Sequence, residues 1–250
     1  MSIIGLDIGG TKCTVIREDE RGIPRNVGRF PTTNVHDTLA SLYKTIERLD
    51  VGGDPVFGVS CGGPLDARTG VILSPPNLPG WDAIPIVDEL KSRFGGEAYL
   101  MNDANAGALA EWRYGAAKGC QNVVFLTFGT GNGAGLILDG RLYEGTSGYA
   151  GEVGHMRLAP DGPVGFGKAG SFEGFCSGGG IGRMARERAM APGGWPSLTA
   201  DSAEDITAKV VAEAADRGDP QAVELLADVG RYLGMGLALI IDILNPQIIV

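Results

Sequence analysis

The chain has 250 residues, 44% hydrophobic and 20% charged, enough apolar material for one large domain or two small ones. A net charge of −9 argues against a nucleic-acid-binding surface, which carries a basic stripe. Four scattered cysteines (Cys13, Cys61, Cys120, Cys176) give neither a disulfide framework nor a C-x-x-C zinc pattern, as expected of reduced thiols in a cytoplasmic protein.

Residues 3–14, IIGLDIGGTKCT, read as a strand, a glycine turn and a second strand. Asp7 lies on a strand with apolar Ile3, Ile4, Leu6 and Ile8, where a carboxylate is costly unless a cation or donors meet it. Gly9 and Gly10 let backbone N–H groups converge on an anion, and Thr11 and Lys12 add a hydroxyl and a positive charge. An acid beside a phosphate nest fits Mg²⁺, which takes carboxylate, water and phosphate oxygens together. An ordinary hairpin with a glycine turn is the plain alternative.

Residues 25–30 follow as a third strand, and Leu39, Leu42, Ile46 and Leu49 mark a helix over 35–49. A strand at 54–60 runs into CGGPLD, a sharp turn at a strand's C-terminal end, where ligands gather in α/β sheets. Residues 71–73 form a short strand. The prolines of SPPNLPGW stiffen the loop at 74–81 that carries Asn77. A helix at 84–94 and a strand at 97–101 lead to Asn102-Asp103-Ala104-Asn105. One residue there suffices as a helix cap. The other, Asp103, is a candidate general base at a strand's C-terminal end. Residues 114–121 link the two halves.

Residues 122–138, NVVFLTFGTGNGAGLIL, repeat the opening plan of strand, Thr/Gly turn and strand. The repetition predicts a duplicated architecture with a nucleotide in the cleft between halves. Asp139-Gly140 is a hairpin turn. Glu152, His155 and Glu173 fall in glycine-rich loops rather than on a periodic face, which favours a polar binding pocket. A helix over 171–190 is interrupted at Gly178–Gly180. A helix over 200–217 opens with a capping-box-like Ser202-Ala203-Glu204-Asp205. A long helix at 220–244 ends at Asn245-Pro246, and 247–250 begin a strand. No apolar run reaches the ~18 residues of a transmembrane helix, and no signal peptide opens the chain.

The ordered motifs DIGGTK, CGGPLD, NLPGW, NDANAG, TFGTGNGAG, AGEVGH, SFEGFCSG and ILNPQIIV resemble the ROK family of repressors, open-reading-frame proteins and sugar kinases. The resemblance implies an α/β protein of the actin-like ATPase (ribonuclease H-like) fold. Its two similar domains, 1–116 and 117–250, would be hinged around a cleft that closes to exclude water. It implies ATP-dependent phosphorylation of a hexose, with glucose at the 6-hydroxyl the first choice and Asp103 the base. An N-acetylglucosamine or N-acetylmannosamine kinase and a non-catalytic sugar sensor are the alternatives. Gly63, Asn77, Asn102, Asp103, Glu152, His155 and Glu173 would bind the sugar. Asp7, Gly9, Gly10, Thr11 and Lys12, with Thr130, Gly131, Asn132 and Gly133, would hold Mg-ATP, Asp7 meeting Mg²⁺ indirectly. The family's repressors add an N-terminal helix-turn-helix, whereas this chain opens at the first strand. A homodimer is the expected assembly.

Two departures from the family pattern stand out. Many members carry a zinc site, C-x-C-G-x-x-G-C-x-E, completed by the histidine of the G-H motif. Aligned on Glu173, this chain has Val164, Phe166 and Ser171 at the cysteine places and keeps only His155. One histidine does not make a four-ligand zinc site, so no structural zinc is expected, with Val164 and Phe166 packing in its place. Family members also continue past the final strand, so a C-terminal segment is expected to be missing here.

Overall fold

The computed structural model describes residues 2–198 and 202–250. It divides into two compact units, the first ending at Gly107 and the second running from Ala108 to Val250.

In the first unit, β1 (Ile3–Ile8), β2 (Lys12–Glu18) and β3 (Pro24–Pro31) form an antiparallel meander. α1 (Val35–Glu47) starts at Asn34, whose side chain accepts the Asp37 N–H. β4 (Val56–Cys61) is followed by a small hairpin, β5 (Leu65–Asp66) and β6 (Val71–Ile72), then α2 (Ile86–Phe94), β7 (Glu97–Asn102) and α3 (Asp103–Tyr114). The division between the units falls inside α3, upstream of the expected link. The sheet order is β3-β2-β1-β4-β7, with β1, β4 and β7 parallel. Alternation along β1 sends Ile4, Leu6 and Ile8 into the core, where α1 and α2 meet them with Leu42, Ile46 and Leu90. The parallel register sets Ile8, Cys61 and Asn102 side by side. The turns that follow β1, β4 and β7 therefore leave the same edge of the sheet.

The second unit repeats this plan. β8 (Val123–Phe128), β9 (Asn132–Leu138) and β10 (Arg141–Leu142) form a meander, and the last strand, here β13 (Ile248–Ile249), runs parallel to β8 on its other side. Between them, among the described residues, lie a hairpin, β11 (Val164–Gly165) and β12 (Lys168–Ala169), and four helices: α4 (Phe172–Cys176), α5 (Gly178–Met190), α6 (Ala208–Asp216) and α7 (Pro220–Leu244). Phe172, Phe175 and Ile240 pack on Val124 and Leu136, and a second cluster around Ala185, Trp195, Val211 and Leu225 joins α5, α6 and α7.

Two helix boundaries differ from the sequence reading. Gly178–Gly180 do not interrupt a helix; they open α5. The break is at Ser177, which turns extended (ψ 157°) and caps α5 by accepting the Gly180 N–H. The helix expected over 200–217 starts later, at Ala208. Thr207 caps it through Val210, while the Ser202 hydroxyl is bonded to Asp205 in a separate 3₁₀ turn. Residues 200 and 201 of that expectation lie outside the described residues.

Among the described residues no helix is long and apolar enough to cross a membrane. Cys13, Cys61 and Cys176 are buried free thiols, and Cys120 is half-buried. Burial pushes the Cys61 and Cys176 thiols up to about 12, with the Asp103 charge adding to the effect at Cys61.

Candidate functional site

In the first unit, the shared sheet edge collects Asp7, the Gly9–Lys12 turn, Gly62 and Gly63, Asn77, Asn102 and Asp103. Gly9 and Gly10 are needed for close approach. A Cβ on Gly9 would stand 2.9 Å from the Lys12 carbonyl oxygen, and one on Gly10 would stand 2.7 Å from both Cβ and carbonyl oxygen of Asn77. The Gly9 N–H is committed to the Lys12 carbonyl (3.1 Å), so it closes the hairpin and is withdrawn from the expected anion nest. Thr32 steadies the same turn, donating its N–H to the Thr11 carbonyl and its hydroxyl to the Gly9 carbonyl.

Asn102 and Asp103 divide their labour. The Asn102 side-chain oxygen accepts the N–H groups of Ala104 (3.0 Å) and Asn105 (3.3 Å), so Asn102 is the cap of α3. Asp103 Oδ1 accepts the Ala104 N–H at 2.8 Å. Its Oδ2 faces the glycine turn, 3.9 Å from where a Cβ on Gly62 would lie, and Gly63 stands likewise against the Asn102 amide. Asp7 sits on the face of β1 opposite Ile4, Leu6 and Ile8. It shares that exposed face with Ile3, so the other three apolar residues of the strand do not surround it. Its carboxyl is nonetheless raised above the ordinary carboxylate value, first by partial burial, then by the negative charge of Asp103, with Lys12 opposing. A carboxylate held close to a second negative charge gains from a nearby divalent cation such as Mg²⁺, which takes hard oxygen donors.

In the second unit, the loop between β8 and β9 rests on the start of α5. Gly178 and Gly179 donate their N–H groups to the carbonyls of Gly129 (2.8 Å) and Thr130 (3.2 Å). A Cβ on Gly179 would come within 2.6 Å of the Thr130 oxygen. The glycine triplet thus serves to seat this loop. Glu173, in the first turn of α4, accepts the Asn132 N–H at 3.0 Å, and Gly131 is glycine because a Cβ there would stand 2.7 Å from that carboxylate. The Asn132 side chain is buried, and its amide oxygen and nitrogen find no partner among the described residues. Gly133 pairs with Thr127 inside the β8–β9 ladder.

Glu152 and His155 flank a 3₁₀ turn, Val153–His155, with His155 Nε2 3.7 Å from a Glu152 carboxylate oxygen. Gly154 lets this turn press on β9 and α4, since a Cβ there would collide with the Asn132 carbonyl and stand 3.3 Å from the Glu173 Cβ. Glu173, distant in sequence, is thereby brought beside the turn that carries Glu152 and His155. No group of three or more His, Cys, Asp or Glu able to hold a metal occurs among the described residues. The Ser171 hydroxyl at the third cysteine place accepts the Gly165 and Gly174 N–H groups, both at 3.1 Å. Phe166 stacks on His155, whereas Val164 remains exposed and offers its carbonyl to Arg183. The donor set does not fit zinc.

Sequence reasoning missed Lys168, whose ammonium donates to the His155 carbonyl at 3.0 Å. It also missed Thr32. Thr32 lies in no glycine-rich motif, and Lys168, though within VGFGKAG, acts through a contact with a distant carbonyl that no local pattern shows.

The family described as "ROK family" matches residues 3–250. A glucokinase of Streptomyces coelicolor is 34% identical over 251 residues, covering 98% of this chain and 79% of that protein. An N-acetylmannosamine kinase of Citrobacter koseri is 37% identical over 192 residues, 74% of this chain and 65% of its own length. A xylose repressor of Caldicellulosiruptor bescii is 26% identical, covering all of this chain and 65% of that protein. Among solved structures, a ROK glucokinase from Streptomyces griseus, crystallised with glucose and AMPPNP, superposes with a TM-score of 0.81 at 33% identity, covering 100% of this chain and 82% of that one.

Proposed function

The chain belongs to the ROK family, with the actin-like ATPase fold of its sugar kinases, and from that premise we propose that it transfers a phosphoryl group from ATP to a hexose, glucose at the 6-hydroxyl being the first choice. What supports this most is Asp103. Its carboxylate is held by one N–H through Oδ1, and Oδ2 faces the glycine turn after β4. A carboxylate so placed can take a hydroxyl proton.

In the proposed step, the sugar hydroxyl oxygen forms a bond to the γ-phosphorus of ATP as the bond from that phosphorus to the leaving ADP oxygen breaks. The hydroxyl proton passes to Asp103. The work asked of the protein is in-line positioning and charge compensation. Asn77, Asn102 and Gly63 in the first unit, and Glu152, His155 and Glu173 in the second, are assigned to the sugar hydroxyls. The turns at Gly9–Lys12 and Thr130–Gly133 are assigned to the nucleotide phosphates. Mg²⁺ bound with the nucleotide, which Asp7 would meet indirectly, would neutralise charge on those phosphates.

A coupled ADP-release assay with Mg-ATP against hexoses and N-acetylhexosamines tests the reading. Turnover on one sugar that falls roughly 10²–10⁴-fold in Asp103→Asn, with sugar affinity retained, is the expected result. Turnover on an N-acetylhexosamine alone would move the substrate to the alternative suggested by the N-acetylmannosamine kinase relative. Sugar binding by calorimetry without turnover on any sugar would favour a non-catalytic sensor, the reading that the xylose repressor relative keeps open.

A further inference from the structure

The rings of His155 and Phe166 stack with centroids 4.5 Å apart and planes 18° from parallel. They come from separate segments, His155 from the end of the 3₁₀ turn and Phe166 from the tip of the β11–β12 hairpin. The hairpin loop is the two residues Phe166-Gly167, and both have positive φ, 47° and 71°. That turn favours Asn, Asp or Gly at its first position, because a bulky side chain is strained in the left-handed region. Phe166 is also 62% exposed, so burial in a core does not offset the strain. What the phenyl ring gains at this position is one flat face, and His155 covers it.

The hairpin grips His155 twice. Lys168, on β12, donates to its carbonyl, and Phe166 faces its imidazole. Glu152 stands at the ring's Nε2 edge. We propose that Phe166 is a positioning residue that fixes the plane of the His155 imidazole, so that its nitrogen edge is presented to a sugar hydroxyl. Stacking here does what a metal ligand bond would do for a histidine completing a zinc site, and it does so at the place of one of the missing cysteines. The inference rests on His155 as a sugar-binding residue; the stack itself does not.

The test uses two substitutions and two readouts. The chain has only two histidines, and the His36 side chain is 89% exposed, so the imidazole C–H signals of His155 stand apart in an NMR spectrum, displaced by the Phe166 ring current. Phe166→Gly removes the ring and releases the backbone strain. It is expected to abolish the displacement, raise the KM for sugar about tenfold with the KM for ATP unchanged, and leave the unfolding midpoint at or above that of the unsubstituted chain. Phe166→Tyr is expected to restore both signal and KM. A displacement that survives Phe166→Gly, or a sugar KM that does not respond, overturns the proposal. So does a tyrosine variant that fails to rescue. Failure of the kinase reading would look different: the unsubstituted chain would release no ADP with any sugar. The C–H signals and calorimetric sugar affinity of the same variants would still decide the role of Phe166.

Discussion

Glu173 accepts the backbone N–H of Asn132 at 3.0 Å, so a side chain assigned to the sugar also holds the loop assigned to the nucleotide. The bond is charge-assisted, and the missing Cβ of Gly131 makes room for it. Glu173→Gln keeps the shape and weakens the bond by about 1 kcal/mol, a factor of about five in affinity. KM for sugar and for ATP should rise together by about that factor. Steady-state kinetics with each substrate varied in turn would check this, and a change confined to sugar would show that the loop does not depend on Glu173.

Gly10→Ala places a methyl group 2.7 Å from backbone and Cβ atoms of Asn77. Stiff loop backbone cannot yield as a side-chain tip would, and overpacking of this kind costs about 2 kcal/mol. Urea unfolding should show the loss together with reduced turnover. Gly58→Ala is the control, because its Cβ would meet nothing within 4 Å; stability there should hold or improve.

Asp7 gives a pH signature of definite sign. Its carboxyl binds its proton more tightly in the folded chain than the ordinary value of 3.8, through burial and the charge of Asp103. Between 3.8 and that raised value the folded state holds more proton than the unfolded state, so stability falls as pH rises through this window. Asp7→Asn removes the effect. Its stability advantage over the unsubstituted chain should be full near neutral pH and should vanish as pH drops below the ordinary carboxylate value. Urea midpoints across pH 3.5 to 7, roughly the span of carboxylate titration, would measure it. An advantage that is independent of pH would show that Asp7 carries no strained charge.

Ser171 is fully buried, caps α4 and ties the β11 strand to it through Gly165. Ser171→Ala leaves two N–H groups without their acceptor and should cost about 2 kcal/mol. Chelators should leave the thermal midpoint of the unsubstituted chain unchanged, since a hydroxyl and a ring stack hold this segment. A midpoint that falls on chelation would mean that a structural metal is present after all.

The glycine loops and their strands were legible because each is a local signal: alternating apolar residues, a turn, alternation again. The parallel register that aligns Ile8, Cys61 and Asn102 needed the structure, since no local pattern fixes which strand lies beside which. Asn102 and Asp103 could be singled out as a pair, but which one caps α3 depends on side-chain direction. The start of α6 was misplaced because Ser202 and Thr207 are both competent caps, and the Asp205 side chain engages the first. The loss of zinc ligands could be read by aligning Glu173 on the motif of the family the chain resembles. That Phe166 would stack on His155 while Val164 stayed exposed could not, because it turns on the conformation of a two-residue hairpin.

The buried thiols make the protein its own reporter of opening. Cys13 and Cys61 lie in the core of the first unit and Cys176 in that of the second, each with its thiol raised and so slow to form the thiolate that alkylating reagents attack. Cys120, half-buried, is the one placed to react in the native state. Mass-resolved labelling over time therefore dates the loosening of each half separately: one early adduct, then one more when the second unit breathes, and two when the first does.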